Sequence, residues 1–273
     1  MILIALLLFS EFVNPTAVTI SGYSGEAMEP FITRDGRYLI FNNSNAATDT
    51  NLQWAERIDD VTFAWRGSLD GANSSALDAV ASVDADNNIY FISTRNPALT
   101  TIYRGTFDHG AVSNVVPIPG LTVPGHLNFD VEVSSDGSTL YFADGVFSGG
   151  PVPSAADLAI AVKGADGQFH RTSGGELTAI NTPALEYAAC LSEDQLELFF
   201  TRIVDGVPAI FHSTRADRAS PWQPPQRLSA ITGFVEAPAL APNGSALYYH
   251  ANRNGRFVIE RVTRQPRRRA VAH

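Results

Sequence analysis

The sequence predicts an all-β fold: a five-bladed β-propeller with four-stranded blades, the last closed by the N-terminal strand. Three observations carry this. One hairpin pattern is written five times. Each copy is followed by further strand-like text. The one strand missing from the last copy is found at the start of the chain.

The hairpin is clearest at residues 236–250. Glu236 leads a small apolar strand, Asn243-Gly244 makes the turn, and a second strand ends in Tyr248-Tyr249-His250. Asn-Gly between two apolar runs is a strong hairpin signal, because both turn residues tolerate positive φ. Earlier copies occupy residues 29–41, 78–91, 130–142 and 186–200. Their leading acids, Glu29, Asp78, Asp130, Glu186 and Glu236, recur roughly every 50 residues, the spacing of four-stranded blades. Copies two and four depart from the turn pattern, with Asp86-Asn87 and Asp194-Gln195.

Third strands follow at residues 52–57, 101–104, 157–162, 209–212 and 257–262. Fourth strands come next, near Phe63, Val112, Phe169 and Trp222. Copy five has none, and the matching text is residues 12–21. Closing the ring with that text covers an edge that would otherwise stand unpaired. An open array or a sandwich is the competing architecture.

Composition bounds the rest. The chain has 273 residues, 45% apolar and 17% charged, which suits one large core rather than disorder. The 21 glycines and 16 prolines suit short strands joined by many turns. A net charge of −9 argues against a nucleic-acid partner. Cys190 is the single cysteine, so no internal disulfide forms; it sits in an apolar run and reads as a buried thiol. Residues 2–9 are an apolar run of signal-peptide core length, too short to span a bilayer. The organisation expected is therefore a signal core at 1–11, one propeller domain at 12–263 and a basic tail at 264–273. A periplasmic or secreted protein follows, with a cytoplasmic one as the alternative. No Gly-x-Ser-x-Gly elbow, His-Glu-x-x-His, P-loop or dinucleotide fingerprint is present.

Pro30 with Asp35-Gly36, Asp136-Gly137, and Pro238 with Asn243-Gly244, each followed by aliphatic and aromatic residues, resemble TolB-type (WD-like) propeller repeats. The Trp222 to Leu228 linker and the Thr-Arg ends at Arg95 and Arg202 resemble them too. The resemblance spans nearly the whole chain. It implies the propeller fold and often an exported protein. It does not choose between protein-binding scaffolds and carbohydrate-active enzymes.

In a propeller the first strand of every blade lines the central channel. The five leading acids should therefore gather at one mouth, where they must be protonated, paired or neutralised. Three readings follow. The acids bind backbone N–H groups and hold the ring together. They bind a polar ligand or a cation such as Ca²⁺. Or they work as paired carboxylates in glycoside cleavage, with Glu29 or Asp130 as base and Glu186 as acid. Asp78 and Glu236 are the remaining channel ligand candidates. Arg95, Asp144, Arg202, His250 and Arg253 follow second strands and form a rim that suits a carboxylate or a sugar. His126 sits at the funnel edge, and Glu132 faces the same way as Asp130 by alternation. No cofactor or dedicated metal site is called for by any motif. The leading expectation is a binding or scaffold protein for a small polar ligand, cation or protein segment. The alternative is a carbohydrate-active hydrolase or lyase, so enzymatic activity is left open.

Overall fold

The computed structural model describes residues 12–46, 48–150 and 152–265. The expected signal core and residues 266–273 of the basic tail lie outside them. The chain opens with β1 (Phe12–Ala17) and β2 (Thr19–Ser21). Blade one is β3 (Met28–Ile32), β4 (Tyr38–Asn42), β5 (Leu52–Arg57) and β6 (Thr62–Ser68). Blade two is β7 (Asp78–Val83), β8 (Asn88–Ser93), β9 (Ile102–Asp108) and β10 (Ala111–Pro117). Blade three is β11 (Leu127–Val133), β12 (Thr139–Val146), β13 (Ala155–Lys163) and β14 (Phe169–Arg171). Blade four is β15 (Glu186–Leu191), β16 (Glu197–Val204), β17 (Val207–Thr214) and β18 (Gln226–Arg227). Blade five is β19 (Val235–Leu240), β20 (Ala246–Arg253) and β21 (Arg256–Arg264), completed by β1.

The ring closes as the missing fourth strand requires. β1 pairs antiparallel with β21, from Phe12 opposite Arg264 to Ala17 opposite Glu260. The closing text is shorter than 12–21, however. After Val18 the chain crosses to blade one, where β2 runs parallel to β6 as a fifth strand. Arg264, expected in the tail, ends β21 and forms a bidentate pair with Glu197 at 2.8 Å and 2.8 Å. With His212 also on that carboxylate, Glu197 is held down to about 2 despite its burial. Trp222, expected in a fourth strand, precedes β18. It is 2% exposed and donates from Nε1 to the Tyr141 hydroxyl at 3.3 Å.

Second strands such as Tyr38-Leu-Ile-Phe41 and Leu247-Tyr-Tyr249 are apolar on both faces because a neighbouring blade covers each face. The core is accordingly five clusters, one between each pair of adjacent blades. Phe41, Phe63 and Tyr248 belong to the cluster joining blade five to blade one, so the closure is as apolar as any other interface.

All five turns share one geometry. An i to i+3 hydrogen bond closes each, and only the fourth residue is left-handed: Gly36, Asn87, Gly137, Gln195 and Gly244, at φ 72°, 62°, 66°, 62° and 68°. This is a type I turn followed by a left-handed residue, not the expected turn with two positive φ values. The copies lacking glycine keep it, because asparagine tolerates that region and Gln195 is tied by Nε2 to Asp136 at 3.1 Å.

Candidate functional site

The same turns set the register of the channel. Six residues before the Asp or Asn of each turn, the first strand carries a non-glycine residue with positive φ: Glu29 (49°), Val80 (49°), Asp130 (52°), Ala188 (52°) and Ala237 (52°). Strand pairing is interrupted at this point in every blade. A β-bulge re-aims the side chains around it, and this one recurs five times about the axis. Glu29, Val80, Asp130, Ala188 and Ala237 all line the channel.

The leading acids therefore do not share one position. Glu29 and Asp130 sit on the bulge, Glu236 one residue before it, and Asp78 and Glu186 two before it. The last two do not gather at the mouth. Asp78, fully buried, accepts from Ser74 N at 2.5 Å, Ser74 Oγ at 2.7 Å and Arg95 at 2.6 Å. Glu186, also fully buried, accepts from Thr182 N at 3.1 Å, Thr182 Oγ1 at 2.6 Å and Arg202 at 2.7 Å. Arg95 and Arg202 in turn bind the Ala72 and Ile180 carbonyls. These are matching clamps that fix the loop before each blade. Burial raises the Glu186 pKa, and its hydrogen bonds and Arg202 oppose that. The geometry gives Glu186 a structural partner where a proton donor was expected.

The rim candidates are also paired. Asp144 is bound by Arg171, by His126 Nδ1 at 3.2 Å and by Asn128 Nδ2 at 3.2 Å. Arg253 is bidentate on Glu260 at 2.7 Å and 2.6 Å.

What remains at the mouth is Glu29, Asp130, Glu236, His250 and Tyr187. Glu236 accepts from the Tyr187 hydroxyl and from His250 Nε2 at 2.9 Å. The Glu29 N–H donates to His250 Nδ1 at 3.2 Å, which fixes the Nε2–H tautomer. Burial favours neutral His250, yet the two flanking carboxylates pull its pKa up overall. Asn45 Nδ2 donates to Glu29 Oε1 at 3.1 Å, and Asn42 binds Asn45 at 3.1 Å. Glu29 Oε2 is buried and has no hydrogen-bond partner among the described residues. Burial raises the Glu29 pKa, with Glu236 adding and His250 opposing. Asp130 is pushed well above the ordinary aspartate value, first by burial, then by Glu29 and Glu236. Tyr187 was missed in the sequence. Its only signal was adjacency to Glu186.

Glu29 and Asp130 border a channel void of about 30 Å³, room for one or two waters. Its far end is plugged by Arg34. That guanidinium binds Glu132 at 3.1 Å and the Val83 and Val133 carbonyls at 3.0 Å and 2.6 Å. Glu132 faces the channel as alternation required, and it also accepts from Ser82 Oγ at 2.6 Å. Among the described residues no group of three or more His, Cys, Asp and Glu is arranged to hold a metal ion, so the Ca²⁺ reading gains no support. Among them, too, no helix is long and apolar enough to cross a membrane.

Asp130 offers a direct check. A carboxyl with a raised folded pKa weakens the fold above its unfolded pKa of about 3.9. Stability should therefore fall as pH rises from about 4 through the folded pKa of Asp130. Asp130→Asn should raise stability at pH 7 and flatten that slope. Urea denaturation at several pH values measures both.

No protein-family model and no curated protein matches this chain. Solved structures do. A protein titled a glycoside hydrolase aligns over 97% of this chain and 94% of its own, at 12% identity and TM-score 0.65. Zg3597, a family 117 glycoside hydrolase from Zobellia galactanivorans, aligns over 94% and 90%, at 12% identity and TM-score 0.60. TolB from Acinetobacter baumannii aligns over 88% and 55%, at 14% identity and TM-score 0.50. At such identities the likeness is one of fold. The neighbours include TolB propellers and glycoside hydrolases alike, and neither kind is singled out.

Proposed function

We propose that this protein is a binding propeller whose acidic mouth takes a small polar ligand at Glu29, Asp130 and Glu236. One observation carries the reading: Glu29 and Asp130 line a void of about 30 Å³ closed at its far end by Arg34 and Glu132, and His250 ties Glu236 in beside Glu29. Pockets for drug-sized ligands run to roughly 300 Å³ and more. Only a small head group enters this channel. The buried, unpartnered Glu29 Oε2 supports a ligand there, since an unsatisfied buried carboxylate oxygen is costly.

The second reading is glycoside cleavage, favoured by Asp130 having its pKa raised by burial and by the nearby Glu29 and Glu236 carboxylates. Asp130 would then donate the proton and Glu236 would be the partner carboxylate, in place of Glu186. A thermal-shift screen of small polar solutes and an oligosaccharide hydrolysis screen separate the two. Binding predicts shifts that vanish in Glu29→Gln and no sugar release. Hydrolysis that survives Glu186→Gln but not Asp130→Asn would overturn it in favour of the enzyme.

A further inference from the structure

We infer that the mouth is a receptor for a small primary amine, its ammonium group seated between Glu29 and Asp130, with Glu236 beside them, and its stem leaving past an aromatic rim. This inference rests on the binding reading above and names its ligand class. Three features of the site point to it.

The first is donor and acceptor arithmetic. An alkylammonium carries three N–H donors and no acceptor. The mouth offers the converse. Glu29 Oε2 has no partner among the described residues, and the Glu29 side chain is 7% exposed. Asp130 accepts from the Ala188 N–H and retains acceptor capacity. Glu236 has one donor on each oxygen and a lone pair to spare on each. A neutral hydroxyl would satisfy the geometry but would leave the crowded carboxylates uncompensated.

Size is the second. The void of about 30 Å³ admits a head no larger than one or two waters. An ammonium group fits, whereas a sugar ring does not. A bare divalent cation needs oxygens at roughly 2.3–2.6 Å, and no such group of side chains is present among the described residues. Charge-assisted N–H···O bonds reach roughly 2.7–2.9 Å.

The third is the rim. Phe129 lies against Tyr187, with ring centroids 6.3 Å apart, and against Phe147 at 5.7 Å. On the other side Phe257 stands edge-on to His250 at 5.5 Å. These partly buried rings adjoin the residues that hold the acids. They suit the methylenes next to an ammonium group, which aromatic faces attract.

The charges facing the head are Glu29, Asp130 and Glu236, with His250 and the Tyr187 hydroxyl beside them. Arg34 and Glu132 lie at the far end of the channel as a pair, and the buried Cys190 thiol lines its wall. An ammonium group favours the ionised forms of Glu29 and Asp130, whose pKa values burial raises in the free protein. Binding should therefore release protons, and affinity should rise with pH.

The test is calorimetry on the full chain with n-butylammonium chloride, against 1-butanol, L-arabinose and CaCl₂. Wild type, Glu29→Gln and Asp130→Asn are compared, each checked for native circular dichroism. Saturable binding of n-butylammonium is expected, with none of 1-butanol. Each substitution should weaken it at least about tenfold, the loss of one charge-assisted hydrogen bond. Apparent enthalpy should vary with buffer ionisation enthalpy, and binding should weaken from pH 7 to pH 5. Equal binding of 1-butanol, or amine binding unchanged by both substitutions, overturns the inference. If arabinose or CaCl₂ binds in a Glu29-dependent way and the amine does not, the amine assignment falls and the binding reading stands. If no probe responds to either substitution, both fall.

Discussion

Removing residues 1–18 is expected to lower the melting temperature by more than about 10 °C. The segment supplies the fourth strand of blade five, and its Val18 N–H bonds the Ile259 carbonyl at 2.9 Å. Phe12 is 3% exposed, meets Phe199 edge-on at 5.7 Å and lies under Arg264 at 4.8 Å. Truncating a buried Phe alone costs roughly 3–5 kcal/mol. Each kcal/mol is worth roughly 2–4 °C in a chain near this size. The deletion adds the loss of the β1 ladder and bares the β21 edge, which invites association between chains. Calorimetry of the truncated chain measures the first effect and light scattering the second. Phe12→Ala should account for a large part of the destabilisation. An unchanged melting temperature would contradict closure by β1.

Arg34→Met should cost roughly 3–5 kcal/mol, because it leaves Glu132 buried without its counter-charge. Glu132 is 3% exposed, and Arg34 also satisfies one carbonyl in blade two and one in blade three. Arg34→Met combined with Glu132→Leu should recover part of that loss. Removing both charges is milder than stranding one, although Ser82 Oγ, the Leu191 N–H and those carbonyls still lose partners. Urea unfolding of the two single variants and the double variant forms the cycle. A double variant less stable than either single one would mean that the plug is more than a charge pair.

The blade count and the closing strand were legible because they depend on long apolar runs and strong turns. The channel register is not carried by the first carboxylate of each copy, because those carboxylates stand at different distances from their turns. Glu29 and Asp130 lie six residues before Asp35 and Asp136, while Asp78 and Glu186 lie eight before Asp86 and Asp194. Those two extra residues carry the side chains past the bulge, beside Arg95 and Arg202. Tyr187 was illegible for a different reason. Its partner Glu236 is in the next blade, and the contact exists only once the ring is closed. The Arg34 plug is of the same kind, since it joins blade one to carbonyls of blades two and three.

Convergence of Glu29, Asp130 and Glu236 on one mouth is tested most directly by a carbon-13 NMR titration of the Asp130 carboxyl, in the wild type and in Glu29→Gln. The expected midpoint lies well above the ordinary aspartate value in the wild type, and it falls when Glu29 loses its charge. A midpoint near 4 in the wild type, or one indifferent to Glu29, would mean that these carboxylates do not share a site.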